Sequence, residues 1–359
     1  MSQSFAEERA EAGQKNVQKE YRLRFTGTGG EYFKIWIVNI AFTILTLGIY
    51  GAWAKVRREQ YLMGHTYLGD TSFDYTADAW SIFKGRILVF LSIVAYTVLY
   101  EVSPILGVGL TALLFVITPW FINQSLKFKS RYITYRNIPF GFDGTVGGIL
   151  SNFIISKSFG YLTGGLLLPW AKFKEKQYLV NNVRYGTTKF LFKGKLGHFY
   201  VAYFLAGLFI VPLAIALGFI FYVSITAFEV SDPNMKKAMP IVMFALFVLM
   251  VYAITPFIIR VLLVEASWNG AEVGKFKINF TASAFRYFWI VVSNLFLRIV
   301  SLGLATPYCV VRVRNYMTSH FSVSGSESVD SFVSNRTAEL NSLGEQASEL
   351  YDLDIDIGI

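Results

Sequence analysis

The sequence predicts a membrane protein that is mainly α-helical and built from internally repeated helices. Hydrophobic residues make up 54% of its 359 residues, and charged residues only 16%. Soluble domains carry about a quarter charged residues. The apolar residues here also come in long blocks, which is typical of chains that use the bilayer as their solvent. We expect four spanning helices, three further apolar segments that either re-enter or cross the membrane, and cytoplasmic β-hairpins.

The N-terminal segment, residues 1–20, is polar and mixed in charge, and we expect it to be mobile. No apolar run precedes about residue 35, so the sequence does not predict a cleavable signal peptide. Residues 21–27 alternate between apolar and polar side chains, which predicts a strand.

Four apolar segments approach the length of about 20 residues that crosses a bilayer. Short turns at Pro104 and Pro233 divide them into two pairs, so each pair is predicted to be a helical hairpin. The segments are residues 83–100, 104–121, 199–226 and 239–259.

Three other apolar segments carry a Leu-Gly or Gly-Gly break, and they are residues 33–53, 145–170 and 288–308. Lys157 interrupts the second and Arg298 the third, and a charge in the middle of a lipid-facing span is costly. We therefore expect these segments to re-enter on the side from which they came. Seven ordinary spans remain the alternative.

Internal repetition is the strongest signal in the chain. Residues 44–61 align with 161–178 at an offset of 117 and with 299–316 at an offset of 255. All three copies end in tyrosine, and Trp-Ala-Lys occurs in the first two. The predicted organisation is a mobile segment 1–20, repeat units 21–139 and 140–277, a third partial repeat 278–321, and an acidic, Ser-rich tail 322–359.

Turn signals predict β-hairpins after the basic helices. They lie at Gly69, at Arg136-Asn137, at Gly186 and at Asn269-Gly270. The acidic tail is predicted either to stay solvated or to add as a strand to a partner or to a sheet edge of the protein itself.

Positive charge clusters after the apolar segments, which by the positive-inside rule places these loops in the cytoplasm. We expect a multi-pass protein of the bacterial inner membrane, with the basic loops and both termini cytoplasmic. The turn at Glu101 has no Lys or Arg and is expected outside.

The run from Tyr32 to Asn39, followed by Leu47-Gly-Ile-Tyr-Gly-Ala-Trp-Ala-Lys55 and Arg57, resembles the YjgN-like family of bacterial inner-membrane proteins. The resemblance extends to the acidic C-terminus and implies a multi-pass inner-membrane protein. It carries no catalytic or binding residues over to this chain.

Basic and aromatic side chains of the repeats are the first candidate site. They suit either an anionic lipid headgroup or simple interfacial anchoring. The candidates are Trp53, Lys55, Arg57, Arg58, Trp170, Lys172, Lys174, Lys176, Arg312 and Arg314.

Polar residues within apolar segments are the second candidate set, namely Asn39, Lys157, Asn294 and Arg298. Such residues are functional candidates by default. The repeat alignment of Asn39 with Asn294 favours helix-to-helix hydrogen bonding for these two. Lys157 and Arg298 are the better candidates for contact with an anion.

Several functions find no support in the sequence. The single cysteine, Cys309, and three scattered histidines predict no metal site, and no nucleophile, phosphate-loop or metal motif predicts an enzyme or a cofactor. The net charge of +9 lies between apolar blocks, which does not suit a nucleic-acid binder. The sequence favours transport or lipid handling with anionic membrane lipids as partners. The alternative is a scaffold that recruits a protein through its hairpins and tail.

Overall fold

The computed structural model describes residues 19–227 and 259–339, with Val242, Ala245 and Ser342. Ten strands form one closed antiparallel barrel in which every strand pairs with its neighbours along the chain and the first pairs with the last. The strands are β1 Lys19–Phe25, β2 Thr66–Leu68, β3 Thr71–Tyr75, β4 Ile133–Tyr135, β5 Ile138–Phe142, β6 Val183–Tyr185, β7 Thr188–Leu191, β8 Ala271–Val273, β9 Phe276–Phe280 and β10 Phe321–Gly325.

The predicted fold class is therefore wrong. The short strands are not separate hairpins attached to a helical protein but one closed barrel from which the helices leave. Among the described residues, two helices are long and apolar enough to cross a membrane, Ala79–Val102 and Pro104–Arg131. The third predicted span falls in the helix Leu196–Ala227, and the fourth lies almost entirely outside the described residues.

The barrel interior follows from the period of two in extended backbone. In β9, Phe276, Ile278 and Phe280 are buried, while the residues between them are exposed. The same alternation in β1 directs Phe25 inward. Aromatic side chains thus fill much of the interior.

All helical excursions leave from one end of the barrel. Because neighbouring strands are antiparallel, the end of β1 at Phe25 lies beside the start of β2 at Thr66, although a helix pair separates them in sequence. The pairs β3–β4, β5–β6, β7–β8 and β9–β10 are arranged in the same way. Four two-residue hairpin turns lie at the opposite end, which we call the turn end.

Three of these excursions are short helix pairs. Their helices are Gly29–Leu45 with Gly51–Gly64, Val146–Leu162 (with a π-helical turn, Leu150–Ile155) with Leu168–Asn182, and Ala284–Val300 with Thr306–Ser319. Two consecutive residues with positive φ make each reversal, as at Leu47 (φ 49°) and Gly48 (φ 93°). A side-chain hydroxyl then fixes the start of the second helix in each pair. Thr46, Thr163 and Ser301 each accept a hydrogen bond from the backbone amide four residues later.

The repeated tyrosine explains why each pair closes. Each first helix has a side-chain N-cap, which is Thr28, Thr145 or Ser283. The tyrosine 33 residues later donates its hydroxyl to the carbonyl of that same cap residue. The start of the first helix and the end of the second are thus fastened together beside the barrel.

The remaining helical segments complete the frame. Residues 259–268 are helical and lead into β8, and the side-chain oxygen of Asn269 accepts from the amide of Phe280 at the end of β9 at 2.5 Å. The predicted turn at Asn269-Gly270 is therefore a helix end, and the hairpin turn lies at Gly274 and Lys275. Residues 329–339 form a last helix that covers the turn end of the barrel.

Candidate functional site

A cleft opens between the two helices of the first pair and the start of the helix Ala79–Val102. It has a volume of about 440 Å³ and is lined by Trp36, Asn39, Lys55, Arg58 and Arg86, among others. We call it the cationic cleft, because its lining contains no Asp or Glu. Its size is within the range of ligand sites in proteins, about 300–1,000 Å³.

The cationic cleft continues into an apolar groove between the helices Ala79–Val102 and Pro104–Arg131. Lys55 and Arg86 line both. The groove has a volume of about 940 Å³, and its lining runs from Ser81 and Lys55 at the barrel end to Ile93 and Tyr96 along the first helix. Charge at one end and apolar side chains along the rest give the combined site an amphipathic lining.

Two of the three cations in the cleft have no acidic partner. Among the described residues, ion pairs involve neither Lys55 nor Arg86, while Arg58 pairs with Glu59 at 2.6 Å. Burial alone would lower the pKa of Arg58, but the hydrogen bond and charge of Glu59 raise it above its ordinary value. Arg58 is therefore paired, while the side chains of Lys55 and Arg86 are free to bind an anion.

A glycine makes room for Arg86. A Cβ atom on Gly51 would lie only 2.6 Å from a guanidinium nitrogen of Arg86. The aligned positions in the other two repeats are Leu168 and Thr306, which would obstruct such an approach. The first repeat alone thus admits an arginine from the neighbouring helix into its cleft.

Asn39 has an unpaired acceptor just beneath the lining of the cleft. It is 7% exposed, and its amide nitrogen donates to the carbonyl of Ala54 at 3.4 Å. Asn294 makes the equivalent bond to Cys309 at 3.2 Å, and its side-chain oxygen accepts from Arg312 at 3.3 Å. The oxygen of Asn39 has no such partner. Hydrogen bonding between the helices therefore engages the amide nitrogen of Asn39 and leaves its oxygen unpaired.

The second repeat pairs its cations with a carboxylate of its own. Lys172 aligns with Lys55, but Glu175 stands where the first repeat has Arg58. The Glu175 carboxylate is buried and pairs with Lys172 at 2.6 Å and with Lys157 at 2.8 Å. Burial would raise the pKa of Glu175, but the charge of Lys172 and the hydrogen bonds from both lysines lower it. The cluster is an internal ion triad.

The third repeat has no cations at these positions, where Val310 and Val313 align with Lys55 and Arg58. Its two arginines contact the protein itself. Arg312 donates to Ser293 at 2.8 Å, and Arg314 donates to Thr66 at 3.3 Å. Burial lowers the pKa of Arg314. Of the three aligned positions, only that of the first repeat presents a lysine without an acidic partner to a cavity of the described residues.

The other predicted site residues lie apart from the cleft. Trp53 packs against Trp80 and Phe83, Arg57 is exposed and lines a separate shallow pocket, and Arg298 is exposed at the far end of its helix. Trp170, Lys174 and Lys176 are partly buried on the second basic helix. Burial lowers the pKa of Lys176, with the charge of Lys172 adding to the effect.

Sequence reasoning missed two residues that decide the site. It placed Arg86 at the edge of a span, where nothing in the spacing connects it with Lys55, 31 positions earlier. It also overlooked Glu175. The role of Glu175 could have been predicted from sequence, because an acidic residue three positions after Lys172 in a helix is placed to form an ion pair with it.

The C-terminal helix, residues 329–339, engages the turn end of the barrel. Asp330 pairs with Arg136 at 2.5 Å, and Glu327, just before the helix, pairs with Lys275 at 3.2 Å. Its Phe332 lies 5.3 Å from the ring of Phe276. The first part of the predicted acidic tail is thus folded onto the barrel, partly as strand β10 and partly as this helix.

Named relatives support an inner-membrane protein. The chain is 35% identical over 123 residues to the inner membrane protein YjgN of Salmonella typhimurium, and the match covers 34% of this chain and 31% of that protein. It is 30% identical over 127 residues to the inner membrane protein YjgN of Escherichia coli K12, again over 34% and 31% of the two chains. The matches thus span about a third of either protein.

No solved structure matches the chain significantly. A family model described as "Bacterial protein of unknown function (DUF898)" matches residues 20–350, which include all ten strands and both candidate spans. By this match over most of its length, the chain belongs to the DUF898 family, in agreement with the YjgN-like resemblance of its sequence.

Proposed function

We propose that this protein binds an anionic phospholipid, with the phosphate between Lys55 and Arg86 in the cationic cleft and an acyl chain in the groove beside it. The observation that carries the proposal is the continuity of the two cavities. The cleft that contains Lys55 and Arg86 opens into an apolar groove, and these two side chains line both the cleft and the groove. That order of charge and apolar surface matches the order within a phospholipid.

The proposal assumes that the helices Ala79–Val102 and Pro104–Arg131 cross the inner membrane. Their apolar side chains are mostly exposed, and apolar patches of that extent on a monomer mark a membrane or a partner surface. The barrel would then lie in the cytoplasm, because the basic helices Gly51–Gly64 and Leu168–Asn182 lead back to it. In this placement the cationic cleft lies at the headgroup level of the cytoplasmic leaflet.

The headgroup chemistry follows from Asn39. Its buried oxygen is an unpaired acceptor, and once the side chain turns into the cleft it favours a headgroup that offers a hydroxyl donor. Two cations and one acceptor together suit a phosphodiester with a hydroxylated substituent, such as phosphatidylglycerol, better than the methylated ammonium of phosphatidylcholine.

The test is lipid retention by the purified protein. The full chain is reconstituted in nanodiscs of equal parts phosphatidylglycerol and phosphatidylcholine, extracted into detergent, and analysed by native mass spectrometry. We expect the wild type to retain phosphatidylglycerol. The double variant Lys55→Gln, Arg86→Gln should lose roughly tenfold or more in affinity, because charge-assisted hydrogen bonds contribute about 1.5–3 kcal/mol each.

Arg57→Gln is the matched control, since Arg57 is an exposed neighbour on the same helix that does not line the cleft. An equal loss in this variant would mean that general positive charge, and not the cleft, retains the lipid, and would overturn the proposal. Soluble glycerol phosphate is added as a competitor. If it displaces the lipid at equimolar concentration, the groove contributes nothing and the site is one for a free phosphate ester.

Lipid binding at this site makes lipid handling at the cytoplasmic leaflet the function that we favour over solute transport. The scaffold alternative depends on the tail beyond residue 339, of which only Ser342 is described. The described start of that tail is engaged with the barrel.

A further inference from the structure

The barrel has its own cavity, separate from the cationic cleft. It has a volume of about 330 Å³ and lies within the strands, where the lining includes Phe73, Phe140, Phe190 and Phe321. We call it the lumen. Protein interiors rarely leave voids larger than a water molecule, because every unfilled space loses dispersion contacts. A void of this size in an aromatic core therefore requires an explanation.

The lumen presents no free polar group. The two tyrosines that line it use their hydroxyls on backbone carbonyls, Tyr135 on Leu68 at 2.7 Å and Tyr185 on Tyr135 at 3.0 Å. Water needs polar partners, and cavities lined only by apolar side chains stay dry or take apolar ligands. An engineered apolar cavity of about 150 Å³ already binds benzene. The lumen is about twice as large and as free of polar partners.

The residues that line the lumen extend from one end of the barrel to the other. Trp268 lines it near the end from which the helices leave, and Val329, Phe332 and Val333 of the C-terminal helix line it at the turn end. The strand β9 has five residues and therefore four intervals, so it spans about 13 Å at about 3.3 Å per residue. A space of that shape suits an extended hydrocarbon chain better than a compact ring system.

The C-terminal helix is a suitable lid for the lumen. It contributes apolar side chains to the interior, but its polar contacts lie on the rim. Asp330 pairs with Arg136 of one hairpin turn, and Thr187 of another turn donates to Glu339 at 2.6 Å. Rim contacts of this kind are largely solvent-exposed and individually weak. The lid can therefore open without dismantling the barrel.

We propose that the lumen binds a single alkyl chain of medium length, such as the tail of a fatty acid, under the lid formed by residues 329–339. This site is independent of the lipid proposed for the cationic cleft. The two share no lining residue and differ in chemistry, because the lumen is uncharged throughout.

The probe is decanoic acid that carries a diazirine on its chain, photolysed with the full-length protein in phosphatidylcholine nanodiscs and mapped by peptide mass spectrometry. We expect labelling of the barrel strands β5, β7, β8 and β10 that excess decanoic acid suppresses. Labelling of the helix Ala79–Val102 by probe dissolved in the bilayer is the internal reference. Labelling confined to such helices would overturn the proposal.

Val273→Trp fills the lumen. Leu191→Trp is its control on the neighbouring strand β7, since Leu191 is 52% exposed and does not line the lumen. We expect Val273→Trp to reduce strand labelling roughly tenfold and Leu191→Trp to leave it unchanged, because overpacking a filled cavity is strongly unfavourable. If Val273→Trp does not fold, Val333→Phe in the lid fills the same space. Unchanged strand labelling in a folded lumen variant would equally contradict the proposal.

Discussion

The hydroxyl of Tyr61 makes two hydrogen bonds to one residue, donating to the Thr28 carbonyl at 3.0 Å and accepting from the Thr28 amide at 2.9 Å. Tyr178 and Thr145 repeat both bonds at 3.1 and 2.7 Å. Thr28 is itself the N-cap of the first helix. A single side chain therefore fixes the start of one helix against the end of its partner, and the two helices form one unit.

Tyr61→Phe should destabilise the protein by about 0.5–1.5 kcal/mol, because the Thr28 amide loses its acceptor, while the Thr28 carbonyl keeps its bond from the Tyr32 amide. The measurement is the apparent thermal unfolding midpoint of the purified protein in detergent. Tyr308→Phe is the control, since Tyr308 is exposed and belongs to the same repeated helix pairs. Equal midpoints for Tyr61→Phe and wild type would show that the bond is dispensable.

Alkaline pH should open the same contact. Burial, together with the hydrogen bond to Glu31, raises the pKa of Tyr61 to about 12 from its ordinary value of 10.0. Because the folded pKa is raised, its stabilising contribution is complete below about pH 10 and is lost as the pH rises towards 12. We expect the difference in unfolding midpoint between wild type and Tyr61→Phe to shrink across this interval. A constant difference between pH 9 and 12 would contradict the assignment.

Glu175→Gln should leave the second repeat with lysines that lack an acidic partner, as Lys55 does in the first. The change leaves Lys157 and Lys172 without their shared carboxylate, at a cost of about 1–3 kcal/mol after allowance for the solvent exposure of both lysines. It also frees two cations for an anion, so we expect native mass spectrometry to find additional retained phosphatidylglycerol. Glu59→Gln is the comparison, because Glu59 pairs with a cation of the existing cleft. If Glu175→Gln retains no additional lipid, the absence of an acidic partner is not what allows a lysine of these repeats to bind the lipid.

Topology is testable with single cysteines in a Cys309→Ser background. Asp70 lies in a hairpin turn at the turn end of the barrel, and Glu101 lies at the end of the helix Ala79–Val102 that is far from the barrel. With an impermeant thiol reagent on intact spheroplasts, we expect Glu101→Cys to label and Asp70→Cys to label only after lysis. The reverse pattern would place the barrel outside and remove the cytoplasmic leaflet from the proposed function.

The lid should loosen when its rim contact is cut. Val333→Cys, again in the Cys309→Ser background, reports opening through its rate of thiol modification, because Val333 is buried in the wild type. Adding Arg136→Gln should raise that rate roughly tenfold, equivalent to about 1.4 kcal/mol. Lys277→Gln is the control, as an exposed cation on β9 that points away from the lumen. A rate that responds equally to both changes would show that the ion pair with Asp330 does not hold the lid.

Local features of this fold were predictable from sequence, and the long-range ones were not. The turns at Gly69 and Gly186 and the first spanning pair lie where turn chemistry and hydropathy predict them. The closure of the barrel could not be predicted, because β2, β4, β6 and β8 have three residues each, too few to show a period. The division of the chain into repeat units ending at residues 139, 277 and 321 stays a prediction.

The candidate site shows the same division. Lys55 and Asn39 belong to the repeated pattern, so the sequence could select them. Their importance depends on the partners that their equivalents have in the other repeats, Glu175 for Lys172 and Arg312 for Asn294. It also depends on Arg86, which only folding brings to the same cleft. The alignment of the repeats thus selected Lys55 and Asn39 as candidates, and the differences between the repeats distinguish the candidate site in the first of them.

The pairing of β1 with β10 sets an order of events in the cell. Tyr21 lies opposite Val323, so the two edges that close the barrel are separated by nearly the whole length of the chain. Until the ribosome has released β10, the growing sheet keeps two open edges, and open edges invite pairing with other chains. Closure must therefore follow the synthesis of β10, and until then both edges of the partial sheet are exposed to pairing with other chains.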